Sequence, residues 1–170
     1  MNDGNNETVE DYLSRITQRL KTRGFRISEN ITYKNQIYDY IARRRRFELN
    51  KTSFVATFFE FAKFTSIDIN ALSEFSAKSF KYATKNSGIP LLRGLKKAIV
   101  CFPVAIVDSI DSETSETIRS RANPKHWSAV EIPVVYDLAT RMLYYCEVTP
   151  LWGSAYYFEL IWTINNMLAP

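Results

Sequence analysis

The most conspicuous chemically active residues in this sequence are four adjacent arginines, Arg43, Arg44, Arg45 and Arg46. Neighbouring guanidinium groups repel one another, so they need either open water or an anion. Phosphate suits them because each guanidinium can make charge-assisted bidentate contacts, and the nearby Tyr33, Tyr38 and Tyr40 can add base stacking. The run therefore predicts contact with a DNA or RNA backbone. The alternative is a solvated hairpin tip, where salt and Glu48 relieve the repulsion.

The charge of the chain is uneven along its length. The net charge is +4, but residues 1–96 hold 17 Lys or Arg against 10 Asp or Glu, whereas residues 97–170 hold 5 against 8. A basic first half is compatible with a polyanionic partner, although a net charge this small is also common in proteins that bind no nucleic acid.

Several kinds of catalytic site are excluded by the residues that the sequence lacks. His126 is the single histidine, which excludes zinc sites with several histidines, and its polar neighbours indicate a surface or hydrogen-bonded side chain. The sequence contains no glycine-rich phosphate loop, dinucleotide fingerprint or Gly-x-Ser-x-Gly motif. It therefore predicts no particular cofactor.

The first half of the chain has the pattern of two helices with strands between them. Thr8 and Asp11 have the spacing of a capping box, and apolar residues then recur every three or four positions until Gly24. Asp68 is the expected cap of a second helix, which ends at residues 86–90. Between the helices the composition predicts three strands, at Phe25–Ile27, Gln36–Arg43 and Phe54–Phe64.

The second half adds further strands and two helices. An apolar strand is expected at Lys97–Val107, ending or bulging at Pro103 because proline cannot donate to a ladder. A hairpin with a turn at Asp137 and a mainly apolar final helix are also expected. The predicted segments are a short helix at Ser112–Arg121, hairpin strands at Val130–Tyr136 and Met142–Val148, and the final helix at Ala155–Leu168.

These elements predict an α/β fold, with a mixed β-sheet flanked by helices in two or three layers. With 170 residues, of which 46% are hydrophobic, a single domain over residues 1–170 is expected. The polar, acidic start has no signal peptide, and the final apolar stretch is too short and polar to span a membrane. The expectation is a cytoplasmic protein in which Cys101 and Cys146 are buried, reduced thiols.

The order of elements, with Asp39 in the second strand and Glu60 in the third, resembles the PD-(D/E)XK restriction-endonuclease-like superfamily over roughly residues 8–86. In that family a helix precedes a sheet whose second strand ends in a metal-binding Asp and whose third carries Asp/Glu-x-Lys. The next helix packs behind the sheet. The resemblance implies a restriction-endonuclease-like fold, with Asp39 and Glu60 as the family carboxylates and Glu10 as the helix carboxylate.

The same resemblance implies a divalent-metal site. Asp39 and Glu60 would hold Mg²⁺, which would activate a water and neutralise charge on a phosphodiester, and a nearby lysine would steady the nucleophile. The sequence departs from the pattern at the lysine. Side chains alternate along a strand, so Glu60 and Ala62 share one face while Lys63 points to the other, unless a bulge turns it back. Ala62 stands where the family has its lysine.

A purely structural interpretation of these residues is also open, with Asp39 an ordinary hydrogen-bonded strand residue and Glu60 and Lys63 an edge pair. Glu60 shares its strand face with Phe54 and Phe58. If that face is buried, the carboxylate requires a partner or a metal, because an unpaired buried charge is costly.

Three hypotheses for the function follow. The leading one is a restriction-endonuclease-like domain that is not catalytic and binds nucleic acid through Arg43 to Arg46. The second is an active Mg²⁺-dependent nuclease that uses Asp39, Glu60 and Lys63 or another lysine. The third is a homodimer or larger homo-oligomer acting as a protein-interaction scaffold, in which the aromatic final helix is covered by another copy of the chain.

Overall fold

The computed structural model describes residues 7–49, 52–89, 96–149 and 154–170. The helices are α1 (Val9–Thr22), α2 (Ile69–Asn86), α3 (Ser112–Ser120) and α4 (Ser154–Leu168). The strands are β1 (Arg26–Tyr33), β2 (Gln36–Glu48), β3 (Ser53–Phe64), β4 (Lys96–Val107), β5 (Lys125–His126), β6 (Ala129–Glu131), β7 (Val134–Asp137) and β8 (Met142–Tyr145).

The predicted caps of the first two helices are confirmed. The Thr8 side chain accepts a hydrogen bond from the backbone N–H of Asp11, and the Asp11 carboxylate accepts one from the backbone N–H of Thr8. At α2, Asp68 Oδ1 accepts from the backbone N–H of Ala71 at 2.7 Å. These bonds satisfy N–H groups that lack a partner within the first turn of each helix, and so they fix where the helices begin.

One mixed sheet runs through the molecule, in the order β1-β2-β3-β4-β6-β5, with β7 also pairing with β4 and β8 pairing with β7. The strands β1, β2 and β3 are antiparallel neighbours, while β3 and β4 are parallel and are connected through α2. Both turn residues between β1 and β2, Lys34 and Asn35, have positive φ, 48° and 63°, as in the tight turns whose twist suits a hairpin.

The fold class is confirmed, because helices cover both faces of the mixed sheet. Residues of α1 and α4 belong to one hydrophobic core, and residues of α2 and α3 belong to the other. Strand alternation divides β3 between them, so that Phe59 is buried in the first core and Phe58 in the second. The domain therefore has three layers.

The strand β2 is longer than predicted and contains all four arginines. The expected end at Arg43 was wrong, because the register with β3 continues from Arg43 opposite Phe58 to Glu48 opposite Ser53. The first strand is also longer than predicted, and pairs with β2 as far as Tyr33. The arginines consequently lie inside the sheet and not at a hairpin tip.

The far half of the sheet also differs from the expectation. Pro103 does not end β4, whose parallel register with β3 continues past it. On the other side of β4 the neighbouring strand is broken at that point, since β6 pairs with Ile99–Cys101 and β7 with Val104–Val107. The predicted strand Val130–Tyr136 is therefore two strands, separated at Ile132 and Pro133, and the short β5 was missed.

The thiols agree with the sequence prediction, because Cys101 and Cys146 are both buried and free. Over the described ranges, the helices are too short or too polar to cross a lipid bilayer.

Candidate functional site

The four arginines of β2 alternate between the two faces of the sheet. Arg43 Nη1 donates to the carbonyl of Asn86 at 2.9 Å, and Arg45 Nη1 donates to the carbonyl of Gly88 at 2.7 Å, both at the end of α2. On the opposite face Arg44 Nη1 donates to the carbonyl of Arg23 at 3.0 Å, at the end of α1.

Three of the arginines therefore have a structural role that the sequence pattern did not indicate. The last carbonyls of a helix have no partner within the helix and carry partial negative charge, so a guanidinium both satisfies and neutralises them. At Gly88 the fit is tight, because a Cβ added there would lie 2.9 Å from Arg45 Nη1 and φ is +57°. A single strand thus holds the ends of both α1 and α2.

Arg23, Arg44 and Arg46, defined here as the arginine edge, come close together on the α1 side of the sheet. Burial lowers the pKa of Arg44, and the positive charges of Arg46 and Arg23 lower it further, while Glu48 acts in the opposite direction. The Arg44 guanidinium lies over the Phe25 ring at 4.5 Å, and its buried Nε has no hydrogen-bond partner. Arg23 and Arg46 are exposed, so this cluster of cations is accessible to an anion.

The three tyrosines expected to add stacking have different environments. Tyr38 is buried in the core beside α2, and Tyr40 is half-buried against the core of the α1 side. Tyr33 is half-buried, with the ammonium groups of Lys34 and Lys85 at 5.6 Å and 6.0 Å from its ring centre. Among these three, only Tyr33 combines partial exposure with neighbouring cations.

In the structure, the side chain of Asp39 is hydrogen-bonded to the backbone of Lys63. Asp39 Oδ2 accepts a hydrogen bond from the backbone N–H of Lys63 at 3.0 Å, just beyond the last register pair between β2 and β3, Tyr40 with Phe61. The Lys63 side chain is exposed, and Glu60 lies on the other face of β3, as strand alternation predicts.

Glu60 is fully buried, at 0% exposure, in the core beneath α2. The Cys101 thiol donates to its Oε2 at 3.5 Å, and its Oε1 has no hydrogen-bond partner. Burial raises the pKa of Glu60 to about 8; the hydrogen bonds from Cys101 and Ser79 partly oppose this, and Glu131 adds to it. The Glu60 carboxyl group is therefore mainly protonated at neutral pH.

Mg²⁺ requires several oxygen ligands in near-octahedral geometry and usually keeps some of its waters. In the described part of the chain, no group of three or more His, Cys, Asp or Glu side chains is placed to hold a metal ion. Asp39 is engaged with a backbone N–H, and Glu60 has no exposed surface. Asp39 and Glu60 therefore do not fit a Mg²⁺ centre. The nuclease hypothesis stays a prediction, and the described residues provide no metal site for it.

A second buried carboxylate, Glu131, was not singled out from the sequence. Its Oε1 accepts a short hydrogen bond from Ser76 Oγ, and its Oε2 lies 2.6 Å from His126 Nε2. The hydrogen-bonded character expected of His126 is confirmed. Because the carboxylate lies between hydroxyl and imidazole, the arrangement does not let His126 activate Ser76 directly. The sequence feature that could have identified this buried carboxylate is a single glutamate within the apolar run Val130–Tyr136.

The helix α4 carries the aromatic residues on which the scaffold hypothesis rests. Phe158 and Trp162 are 63% and 57% exposed and lie four residues apart, so they share one helical face. Other α4 side chains are buried against the sheet, including Leu160 and Ile164. The helix is therefore covered on one side by its own chain.

No protein-family model, no curated protein and no solved structure matches this chain.

Proposed function

We propose that this chain is a restriction-endonuclease-like domain without nuclease activity, and that it binds the phosphate backbone of nucleic acid through the arginine edge. The observation that carries the proposal is the proximity of Arg23, Arg44 and Arg46. Among the described residues, none of the three forms a salt bridge with an Asp or Glu. A phosphate would relieve their mutual repulsion by charge-assisted hydrogen bonds.

The surrounding segment supports a polyanionic partner. Residues 19–49, which include the end of α1 and the whole β1–β2 hairpin, hold nine Lys or Arg against three Asp or Glu. This local excess of positive charge exceeds the net charge of the whole chain, +4. A concentrated positive edge of this kind attracts a phosphate backbone without reading its sequence.

The restriction-endonuclease-like part of the proposal is supported by the order of elements. The helix α1, the strands β1, β2 and β3, and the helix α2 follow one another as the family resemblance implies. Ala62, at the position of the family lysine, is buried at 1% exposure, and Glu60 is buried beside it. Burial of these two positions supports a domain that binds and does not cleave.

The first experiment is fluorescence anisotropy of labelled single- and double-stranded DNA and RNA without divalent metal, over a series of salt concentrations. We expect binding that weakens steeply with salt. The test variant is Arg23→Ala/Arg46→Ala, which leaves the Arg44 bond to α1 in place. The control is Lys125→Ala/Arg141→Ala, which also removes two exposed positive charges, in β5 and the β7–β8 turn.

Each phosphate contact on a duplex contributes about 0.9 to the slope of log K against log salt, so the test variant should lower that slope by about 2. The control should have a much smaller effect. Absence of binding to all of these nucleic acids at low salt, or equal losses in the two double variants, would refute the arginine edge as the binding site.

The two other hypotheses have their own readouts. Cleavage that requires Mg²⁺ would support the nuclease alternative. For the scaffold alternative, the exposed pair Phe158 and Trp162 is the specific observation, and Trp162→Ala should dissociate a dimer detected by light scattering. A wild-type chain that is monomeric at high concentration would exclude that alternative.

A further inference from the structure

A cavity of about 390 Å³ lies at the opposite end of the sheet from the arginine edge. It is lined by residues of α2 and α3 and by the β5–β6 hairpin, and much of its wall is apolar, including Ile69, Leu72, Ile118 and Pro133. Its volume falls at the lower end of the range for small-molecule sites, and a concave apolar surface with a few polar groups is typical of such sites.

The polar part of the wall is held rigidly. Glu131 has a side-chain exposure of 3%, and Ser76 and His126 occupy one carboxylate oxygen each. The His126 ring also stacks on Phe80, with 3.8 Å between centroids and 15° between planes. A carboxylate and an aromatic ring therefore fix the orientation of the imidazole at the cavity, so its ordering costs little when a ligand binds.

Arg121 supplies a cation to the same cavity. It is exposed, and Nη1 donates to Ser73 Oγ at 3.1 Å, which leaves most of its five N–H donors for another partner. No Asp or Glu in the described ranges forms a salt bridge with it. Glu131, the carboxylate that lines the cavity, is already occupied by Ser76 and His126.

We propose that this cavity is a binding site for a small organic acid with an apolar body. Arg121 binds the carboxylate, and the apolar body lies against Ile69, Leu72 and Pro133. A carboxylate suits the site better than a phosphate, because Arg121 is the single Lys or Arg among the described lining residues, and one guanidinium balances one negative charge. The site is separate from the arginine edge and does not depend on the nucleic-acid proposal.

The test is isothermal titration calorimetry of the full chain with 2-naphthoate, and with 2-naphthalenemethanol as a neutral molecule of the same ring. Two variants probe the site. Arg121→Ala removes the cation, and Ala77→Phe places a bulky side chain at an exposed position that lines the cavity. Arg26→Ala, an exposed arginine of β1, is the charge-matched control.

We expect saturable binding of 2-naphthoate, with affinity about tenfold lower for the neutral compound and for Arg121→Ala, as for loss of one charged hydrogen-bonded contact. Ala77→Phe should abolish binding, and Arg26→Ala should leave it unchanged. Circular dichroism spectra of all variants should match that of the wild type. The proposal is overturned if 2-naphthoate does not bind, if the neutral compound binds equally well, or if folded Ala77→Phe binds like the wild type.

Discussion

Replacing Glu60 by Gln should remove a large part of the dependence of stability on pH. Glutamine has almost the same shape as a protonated glutamic acid but does not ionise, so it can occupy the same buried position beside Cys101 without a charge at any pH. The side chain of Glu60 has no exposed surface and its Oε1 has no hydrogen-bond partner, so the hydrogen bonds from Cys101 and Ser79 only partly compensate for ionisation.

The size of the effect follows from the pKa of this carboxyl group, which rises from an ordinary 4.5 to about 8 on folding. A group whose pKa is raised in the folded chain binds its proton more tightly when folded. The stabilisation that the protonated Glu60 adds to the folded chain is therefore fully present below pH 4.5 and is lost as the pH rises towards 8. At about 1.4 kcal/mol per pKa unit, ionisation of Glu60 should lower the free energy of unfolding by about 3 kcal/mol between pH 5 and pH 8.

The assay is urea denaturation of the wild type and of Glu60→Gln at a series of pH values across that range. The difference between the two pH profiles isolates the contribution of Glu60 from that of other titrating groups. Glu10→Gln, an exposed glutamate of α1, is the control and should behave like the wild type. Equal pH profiles for Glu60→Gln and the wild type would show that the pKa of Glu60 is not raised. Added Mg²⁺ should change neither profile, whereas the nuclease hypothesis predicts that it favours ionised Glu60.

Further predictions concern stability and the nuclease alternative. Arg45→Ala should lower the free energy of unfolding by about 0.5–1 kcal/mol, because a cation is lost from the end of α2. Arg46→Ala should not lower it in the same urea titrations, because this change removes a like charge beside Arg44. Phe59→Ala should lower the free energy of unfolding by about 3–5 kcal/mol, because the Phe59 ring stacks on Phe102 inside the core, with 4.7 Å between ring centroids. A smaller loss would indicate that neighbouring side chains move into the space left by the ring. Asp39→Ala should abolish any Mg²⁺-dependent cleavage, and retained cleavage would exclude Asp39 from the mechanism.

Local signals in the sequence predicted several elements correctly. The capping box at Thr8 and Asp11 defined α1, the cap at Asp68 defined α2, and the alternation in β3 placed Glu60 and Lys63 on opposite faces of the sheet. Each of these signals acts between residues that are close in the sequence, which is why it can be read without the tertiary structure.

The errors arose where distant residues decide the outcome. The alternative of a solvated hairpin tip for the four arginines was wrong, because three of them bind carbonyls that become available only when α1 and α2 end beside β2. Pro103 was expected to end or bulge its strand, yet it lies beside a break in the neighbouring strand, where a missing N–H costs little. The pairing of Glu131 with Ser76 and His126 joins three elements, and no spacing along the chain indicates it.

The break beside Pro103 divides the far part of the sheet into two hairpins that share only β4. The β5–β6 hairpin, which carries His126 and Glu131, is held to β4 at three positions, Ile99–Cys101, whereas β7 continues into a second hairpin with β8. Local opening of β5–β6 therefore requires far less disruption than global unfolding and leaves the β7–β8 hairpin paired. Besides this short pairing, the hairpin is held by its contacts with Ser76 and Phe80 of α2, so the rigidity of the cavity wall depends on that helix.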